Sequence, residues 1–356
     1  MLKKRKINKK TKILVINFGG IGDQILFFPA LKTIKASYPL PFLTLAVETR
    51  SKSAKELSSL IDEVITCDIK TGFKYFNLIK LLFKIWSGRY HVVVSSGGSK
   101  FIAIFLFLTG IRKRIGYNTG LLSKILLTKT ASLNKNQYAA NMYHALAKAI
   151  CSDQEANLPE IDISPENLIW AYEKIGSRTK QVVTIHPGVS KLSITKNIIK
   201  FWSVSNWVSL IVKLICSGKY KVVLTGGPDD EGVLLQIKAE LARYDISEDS
   251  LADLYGQTKN LSQLAALISL SNVLVCVDSA PMHISVGTRT PIVAIFGPTD
   301  EKKLLPSNDY RFIAVKDEDL DCRPCLWDKR KNSCDYIDCL NINSDKVFQT
   351  IKEHLD

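Results

Sequence analysis

Acidic residues are scarce in the first half of this sequence. Residues 1–150 contain 6 Asp and Glu against 25 Lys and Arg, whereas residues 151–356 contain 28 against 23. The formal charge of +14 therefore belongs to the first half. The tail Met1–Lys12, with seven basic side chains and no acid, accounts for only part of it. So basic a half disfavours a cationic partner and points to an anionic one: nucleic acid, a membrane surface or a phosphorylated substrate. Long apolar runs are missing too. Stretches such as Phe101–Leu108 fall far short of the roughly 20 residues a spanning helix needs. No signal-peptide pattern is evident, because the basic start runs straight into a strand, Ile13–Ile16, and a glycine loop. These absences predict a cytoplasmic protein that lies against a membrane. Low-complexity sequence is confined to the tail, and 46% apolar and 23% charged residues describe a globular chain rather than a disordered one.

A length of 356 residues suggests two domains, each long enough for its own core. Short β-branched runs alternate with helical stretches. Strands are expected at Ile13–Asn17, Phe42–Val47, Glu63–Thr66 and His91–Ser95, then at Val182–His186, Lys221–Thr225, Val273–Val277 and Ile292–Phe296. Helical periodicity marks Gln24–Ser37, Trp202–Ser217 and Leu261–Ser269. This order predicts an α/β chain with two Rossmann-like, doubly wound parallel sheets. The expected domains are 1–165, with the basic tail 1–12, and 166–356, with a cysteine-rich segment 322–339 and a terminal helix. Ser164 to Thr179 reads as the link into the second sheet. Lys70, Lys74, Asn77, Lys80 and Lys84 share one face of a further helix, and Tyr75, Phe76, Leu78, Ile79, Leu82, Phe83 and Trp86 fill the rest. Either it lies in a membrane interface or it is a surface helix with a solvated lysine face.

Ligands of such sheets bind beyond the carboxyl ends of the strands, and the loops after Asn17, His186, Thr225 and Val277 carry the polar motifs. The first reads Asn17-Phe-Gly-Gly-Ile-Gly-Asp23. Gly19, Gly20 and Gly22 allow a tight turn and close approach to a ligand. Asp23 reads either as a helix cap or as a general base for an acceptor hydroxyl. A carboxylate at a helix start repels a pyrophosphate, and the G-x-G-x-x-G signature is incomplete, which counts against a nicotinamide oxidoreductase. The second motif, His186-Pro-Gly-Val-Ser190, suits phosphate contact by backbone N–H groups and the Ser190 hydroxyl. Lys200 follows at a helix start and is either a solvated lysine or a counter-charge to a diphosphate. The third, Thr225 to Glu231, offers Asp229, Asp230 and Glu231 to ribose hydroxyls or as helix caps. The fourth, Cys276 to His283, puts Asp278, Ser279 and His283 around a helix start whose N–H groups favour an anion. Last, Cys322-x2-Cys325-x8-Cys334-x4-Cys339 reads as a structural zinc site or as four reduced thiols.

These motifs resemble glycosyltransferase family 9, the ADP-heptose:lipopolysaccharide heptosyltransferases. The resemblance rests on Ile13–Pro39, Ile185–Ser190 with Lys200-Phe-Trp202, Val222–Glu231 and Leu261–Asp300, with weaker similarity in Gly110–Tyr117 and the cysteine segment. It implies a GT-B fold, with two Rossmann-like domains facing across a cleft, the first binding a lipid-linked acceptor and the second a nucleotide sugar. It implies inverting transfer of a sugar, heptose from ADP-heptose, to a lipopolysaccharide core or related anionic glycolipid, with no cofactor required for catalysis. By the same resemblance Asp23 is the base. Lys200 contacts the diphosphate, Ser279, Ala280 and His283 form the phosphate-binding helix start after Asp278, and Asp229 meets the ribose. Ala280 stands where the family usually has glycine, and Ser203 where proline usually follows the tryptophan. Arg112, Lys113 and Arg114 are candidate acceptor contacts or solvated loop charges. The expected partners are a nucleotide sugar, an anionic glycolipid and the cytoplasmic face of the inner membrane. Three alternatives remain: a family member using another nucleotide sugar, a catalytically weak nucleotide-sugar-binding protein, and nucleic-acid binding. The last lacks a recognised module.

Overall fold

Four-residue runs such as Ile13-Leu-Val-Ile16 and Val92-Val-Val-Ser95 are apolar almost throughout because both faces of their strands are covered. In the computed structural model the described residues are 10–69, 74–151, 155–195, 198, 200–326, 334 and 338–355. Lys70 lies outside them. The chain divides into two compact units, 1–160 and 161–356.

The first unit has strands β1 (Thr11–Ile16), β2 (Pro41–Val47), β3 (Glu63–Thr66), β4 (Val92–Ser95), β5 (Lys113–Tyr117) and β6 (Lys129–Ala131). They form one parallel sheet in the order β3-β2-β1-β4-β5-β6. Its helices are α1 (Ile21–Ala36), α2 (Lys74–Gly88), α3 (Lys100–Leu108), α4 (Leu121–Leu126) and α5 (Ala139–Lys148), with a 3-10 segment at Thr49–Leu57. The strand order reverses beside β1, the topological switch point where ligands of such sheets bind. Helix α1 is buried along almost its whole length and packs on α5, so the loop that starts it is anchored on both sides.

The second unit repeats the design. Its helices are α6 (Pro165–Ile175), α7 (Lys191–Thr195), α8 (Val204–Cys216), α9 (Glu231–Leu241), α10 (Leu261–Ser269), α11 (Ala280–Thr288), α12 (Glu301–Leu304) and α13 (Ser344–Leu355). Strands β7 (Gln181–His186), β8 (Tyr220–Leu224), β9 (Leu251–Asp253), β10 (Val273–Val277), β11 (Ile292–Ile295) and β12 (Phe312–Val315) form a parallel sheet ordered β12-β11-β10-β7-β8-β9. Both sheets are doubly wound, as expected. The stretch Ser164–Thr179 is not a bare link. Ser164 accepts from the Asn167 N–H and caps α6, which buries Ala171 and Ile175 against α10. The unforeseen strands β5, β6, β9 and β12 are short and lie towards or at the sheet edges.

Candidate active site

In the first unit, β1 delivers the chain to Asn17, and α1 starts four residues later. The buried Asn17 accepts from the Gly19 N–H at 3.1 Å and donates to the Asp23 carbonyl at 3.3 Å. Gln24 donates to the Asn17 carbonyl at 3.0 Å, and the Ser51 hydroxyl to the Gly19 carbonyl at 2.9 Å. The loop is thus held by its neighbours. Asp23 folds back over it: Oδ2 accepts from the Gly20 N–H at 2.7 Å and Oδ1 from the Tyr143 hydroxyl at 2.9 Å.

One oxygen of Asp23 thus caps the helix, and the carboxylate stays half-buried at the loop. At Gly19 the close approach is to a side chain of the same loop. Among the described residues of this unit the positive-φ glycines are Gly110 and Gly120, not Gly19 or Gly20. A Cβ at Gly19 would stand 2.3 Å from the Asp23 Cβ, so glycine there makes room for the carboxylate. Gly22 lies inside α1.

Two residues at this site had no motif to reveal them. Tyr143 reaches Asp23 from α5, with its ring 5.2 Å from that of Phe27. Burial, and then the Asp23 carboxylate, push the Tyr143 phenol well above its usual range, so it remains a proton donor. Arg50 follows β2. A Cβ at Gly20 would lie 3.4 Å from Arg50 Nη1 and 3.7 Å from Asp23 Oδ2, so cation and carboxylate border one spot. The buried Glu48 holds Arg50 by Nε at 2.8 Å. The rule that ligands gather past strand ends applies to the loop after β2 as well, although no motif marked it.

Arg112, Lys113 and Arg114 are not brought to Asp23. Lys113 is level with Val92, and Val92 with Ile13, whereas the loop leaves β1 after Ile16. Three strand residues, about 10 Å, separate the two levels, at opposite edges of the sheet. Arg114 is structural: its guanidinium donates to the carbonyls of Leu126 and Ile111 at 2.7 and 2.6 Å. Lys113 lies 5.2 Å from the Tyr38 ring centre, and Arg112 is exposed.

In the second unit the polar loops follow the adjacent strands β10, β7 and β8. Lys200 Nζ lies 2.5 Å from Asp278 Oδ2, and both are largely buried. Burial alone would raise the Asp278 carboxyl. The Lys200 ammonium, with His283 and the Thr299 hydroxyl, outweighs it and holds the carboxyl below its usual range. Lys200, Asp278 and buried His283 thus share one neighbourhood.

Ser279 is the residue before α11, with its hydroxyl turned to the Val277 carbonyl at 3.2 Å. It makes no side-chain cap, which leaves the Ala280 N–H for an incoming anion; Pro281 has no N–H, and that of Met282 donates to the Ser279 carbonyl at 3.2 Å. Ser190 is exposed and its hydroxyl pairs with that of Ser193 at 3.0 Å. Exposed Asp229 accepts from the Lys191 N–H at 2.9 Å and ties the β8 loop to the β7 loop. Its neighbour Asp230 is buried, 3.2 Å from His186 Nε2, and accepts from the Gly227 N–H at 2.8 Å. A Cβ at Gly188 would sit 1.8 Å from the Asp230 carboxylate, so the loop needs glycine there. Ser203, in place of the usual proline, caps α8 by accepting from the Asn206 N–H.

Among the described residues Cys322, Cys325, Cys334 and Cys339 form no disulfide. Burial, then the neighbouring Cys325, Cys322 and Cys334, push the Cys339 thiol up to about 11. Among the described residues no group of three or more His, Cys, Asp or Glu side chains is arranged to hold a metal ion.

The family model of glycosyltransferase family 9 (heptosyltransferase) matches residues 78–334, which contain the whole Lys200–Asp278–His283 group. The chain belongs to glycosyltransferase family 9. This glycosyltransferase is 23% identical over 323 residues to lipopolysaccharide heptosyltransferase 3 of Escherichia coli, covering 83% of the chain and 89% of that protein. Among solved structures it resembles E. coli ADP-heptose lps heptosyltransferase II, with a TM-score of 0.73 at 21% identity, covering 97% of this chain and 98% of that one. It also resembles an E. coli heptosyltransferase solved with ADP-2-deoxy-2-fluoro heptose, with a TM-score of 0.68 at 14% identity, covering 96% and 99%. The glycosyltransferase thus has the GT-B fold of two parallel α/β sheets, and its activity is glycosyl transfer.

Proposed function

We propose that this glycosyltransferase transfers heptose from ADP-heptose to a hydroxyl of a lipopolysaccharide core or a related anionic glycolipid, with inversion at the anomeric carbon. The observation that carries this reading is the Asp23 carboxylate, held on both oxygens by neutral donors, the Gly20 N–H and the Tyr143 hydroxyl. Neutral donors orient a carboxylate without cancelling its charge, which is what a general base requires. Asp23 takes the acceptor proton while the acceptor oxygen bonds to the anomeric carbon. The bond from that carbon to the phosphate oxygen breaks, and its electron pair leaves with ADP. The charge developing on ADP falls to Lys200, His283 and the Ala280 N–H that opens α11. Asp229 and Ser190, on neighbouring loops, take the ribose and phosphate, and Arg50 meets an acidic group of the acceptor. Elemental analysis of the purified protein is the test of a structural zinc among the four thiols.

The choice of heptose is supported by the lipopolysaccharide heptosyltransferase relative, and that of ADP-heptose by the heptosyltransferase solved with a fluorinated ADP-heptose. A thermal-shift panel of nucleotide sugars tests it, with ADP-heptose expected to stabilise most. The decisive assay measures ADP release with heptose-free lipopolysaccharide as acceptor. The wild type is expected to turn over, and Asp23→Asn to lose activity while still binding ADP. Unchanged turnover by that variant refutes the assignment of the base.

A further inference from the structure

Between Asp68 and Asp153 the sequence has no Asp or Glu at all across 84 residues, and 13 Lys and Arg. That stretch contains α2, α3 and α4. The steps β3 to β4, β4 to β5 and β5 to β6 all run the same way along the sheet, so right-handed crossovers put these three helices on one face. They are side by side there: Trp86 Nε1 of α2 donates to the Leu108 carbonyl of α3 at 3.1 Å, and α3 packs on α4. Their inner sides, with Leu81, Ile85, Ala103 and Leu106, build the core over β1 and β4.

Their outer sides are apolar as well. On α2, Phe76, Ile79, Phe83 and Trp86 form a stripe at helical spacing, each at least half exposed. Phe101 and Phe107 of α3 and Leu121 and Ile125 of α4 are more than half exposed. Isolated exposed apolar side chains are ordinary on any protein, but a run of them across three adjacent helices is not. Cations border the run: Lys80 lies over the Phe76 ring at 4.2 Å and Arg114 over Phe107 at 5.5 Å, and Lys84, Lys100 and Lys124 are exposed.

We infer that the outer face of α2, α3 and α4 docks on an anionic bilayer, its aromatic and aliphatic side chains entering the headgroup boundary and its lysines meeting lipid phosphates. Apolar side chains ringed by cations suit that interface, and aromatic rings favour it. A second copy is a poor occupant, because two such faces would oppose cation to cation with no acid between them. The face also reaches the right end of the sheet. Phe101 and Leu121 begin helices that follow strands, on the same edge as the glycine loop and Asp23. A lipid-linked acceptor would reach the carboxylate from the bilayer it is anchored in; in that respect the inference rests on the proposed acceptor.

The test is co-sedimentation of the full chain with vesicles of phosphatidylethanolamine and phosphatidylglycerol at 3:1, and with phosphatidylcholine alone. The wild type is expected to bind the anionic vesicles and to bind phosphatidylcholine far less. The variant Phe83→Ser/Phe101→Ser/Leu121→Ser/Ile125→Ser is expected to lose at least about tenfold in partitioning. Each of Lys84→Gln, Lys100→Gln and Lys124→Gln is expected to cost about fivefold on the anionic vesicles alone. The basic tail is present throughout, so these differences belong to the helical face. Melting temperature and the stabilisation by ADP are expected to stay at wild-type values, showing that the exposed changes leave the fold intact. The serine variant should transfer normally to a deacylated, water-soluble acceptor and poorly to the same acceptor in vesicles. Equal vesicle binding by wild type and serine variant overturns the docking face. So does a wild-type dimer in sedimentation velocity that the serine substitutions dissolve. Failure of the wild type on the soluble acceptor would instead count against the proposed reaction, leaving the vesicle result to stand by itself.

Discussion

Each unit places an aspartate just past a strand near the middle of its sheet, and the two are treated in opposite ways. Asp23 accepts from an amide N–H and a phenol, both neutral. Asp278 is buried against the Lys200 ammonium, which holds its carboxyl low. A carboxylate given neutral donors keeps its charge for chemistry, whereas one given a cation spends that charge on positioning the cation. The same residue type past a central strand, the first strand of one unit and the fourth of the other, thus becomes a candidate base in one and the anchor of a candidate donor-binding lysine in the other.

Substitutions at the two sites should separate these roles. The largest effect is expected from Asp23→Asn, with sugar transfer falling by about 10²- to 10⁴-fold while the melting temperature stays near wild type. Comparable loss from a change in stability alone would erase the distinction. Lys200→Ala is expected to do the reverse for stability. It leaves Asp278 buried without its cation, at a cost of about 3–5 kcal/mol, read by urea denaturation. The double variant Lys200→Ala/Asp278→Ala should recover part of that, as a coupled pair does.

Tyr143→Phe removes one donor from Asp23 and is expected to lower kcat roughly tenfold, with the donor KM unchanged. A variant that raises KM and leaves kcat intact would show Tyr143 to be merely part of the packing. A smaller effect should appear in acid. Because the Asp278 carboxyl is lower in the folded protein than in the unfolded chain, its contribution is full above the ordinary aspartate value, about 3.9. It is lost as the pH falls through the lower folded value. Denaturation midpoints measured down to pH 2 check this, and Asp278→Asn should flatten that part of the profile.

The central strands and long helices could be read because burial on both faces makes them apolar and periodic, as in Val273–Val277 and Leu261–Ser269. Strands β5 and β6 escaped notice because Lys113, Arg114, Lys129 and Thr130 interrupt the pattern where the sheet meets solvent. The motif at Cys276–His283 could be read because its residues are contiguous. Tyr143 could not: it is 120 residues from Asp23, and only the packing of α1 on α5 joins them. The distance of Arg112 to Arg114 from Asp23 was hidden for a related reason. Their charge is visible in the sequence, but the edge of the sheet at which a strand starts is a matter of register.

Composition and pattern alone determined the α/β class, the paired sheets, the basic first half and the contiguous loops past the strand ends, because burial and turn chemistry act over a few neighbouring residues. The tertiary structure decided which charges are spent and which are kept. It set Lys200 against Asp278 and Tyr143 against Asp23, and it turned the apolar sides of α2, α3 and α4 outward. Those outcomes depend on contacts between residues far apart in the chain, and local sequence carries no record of them.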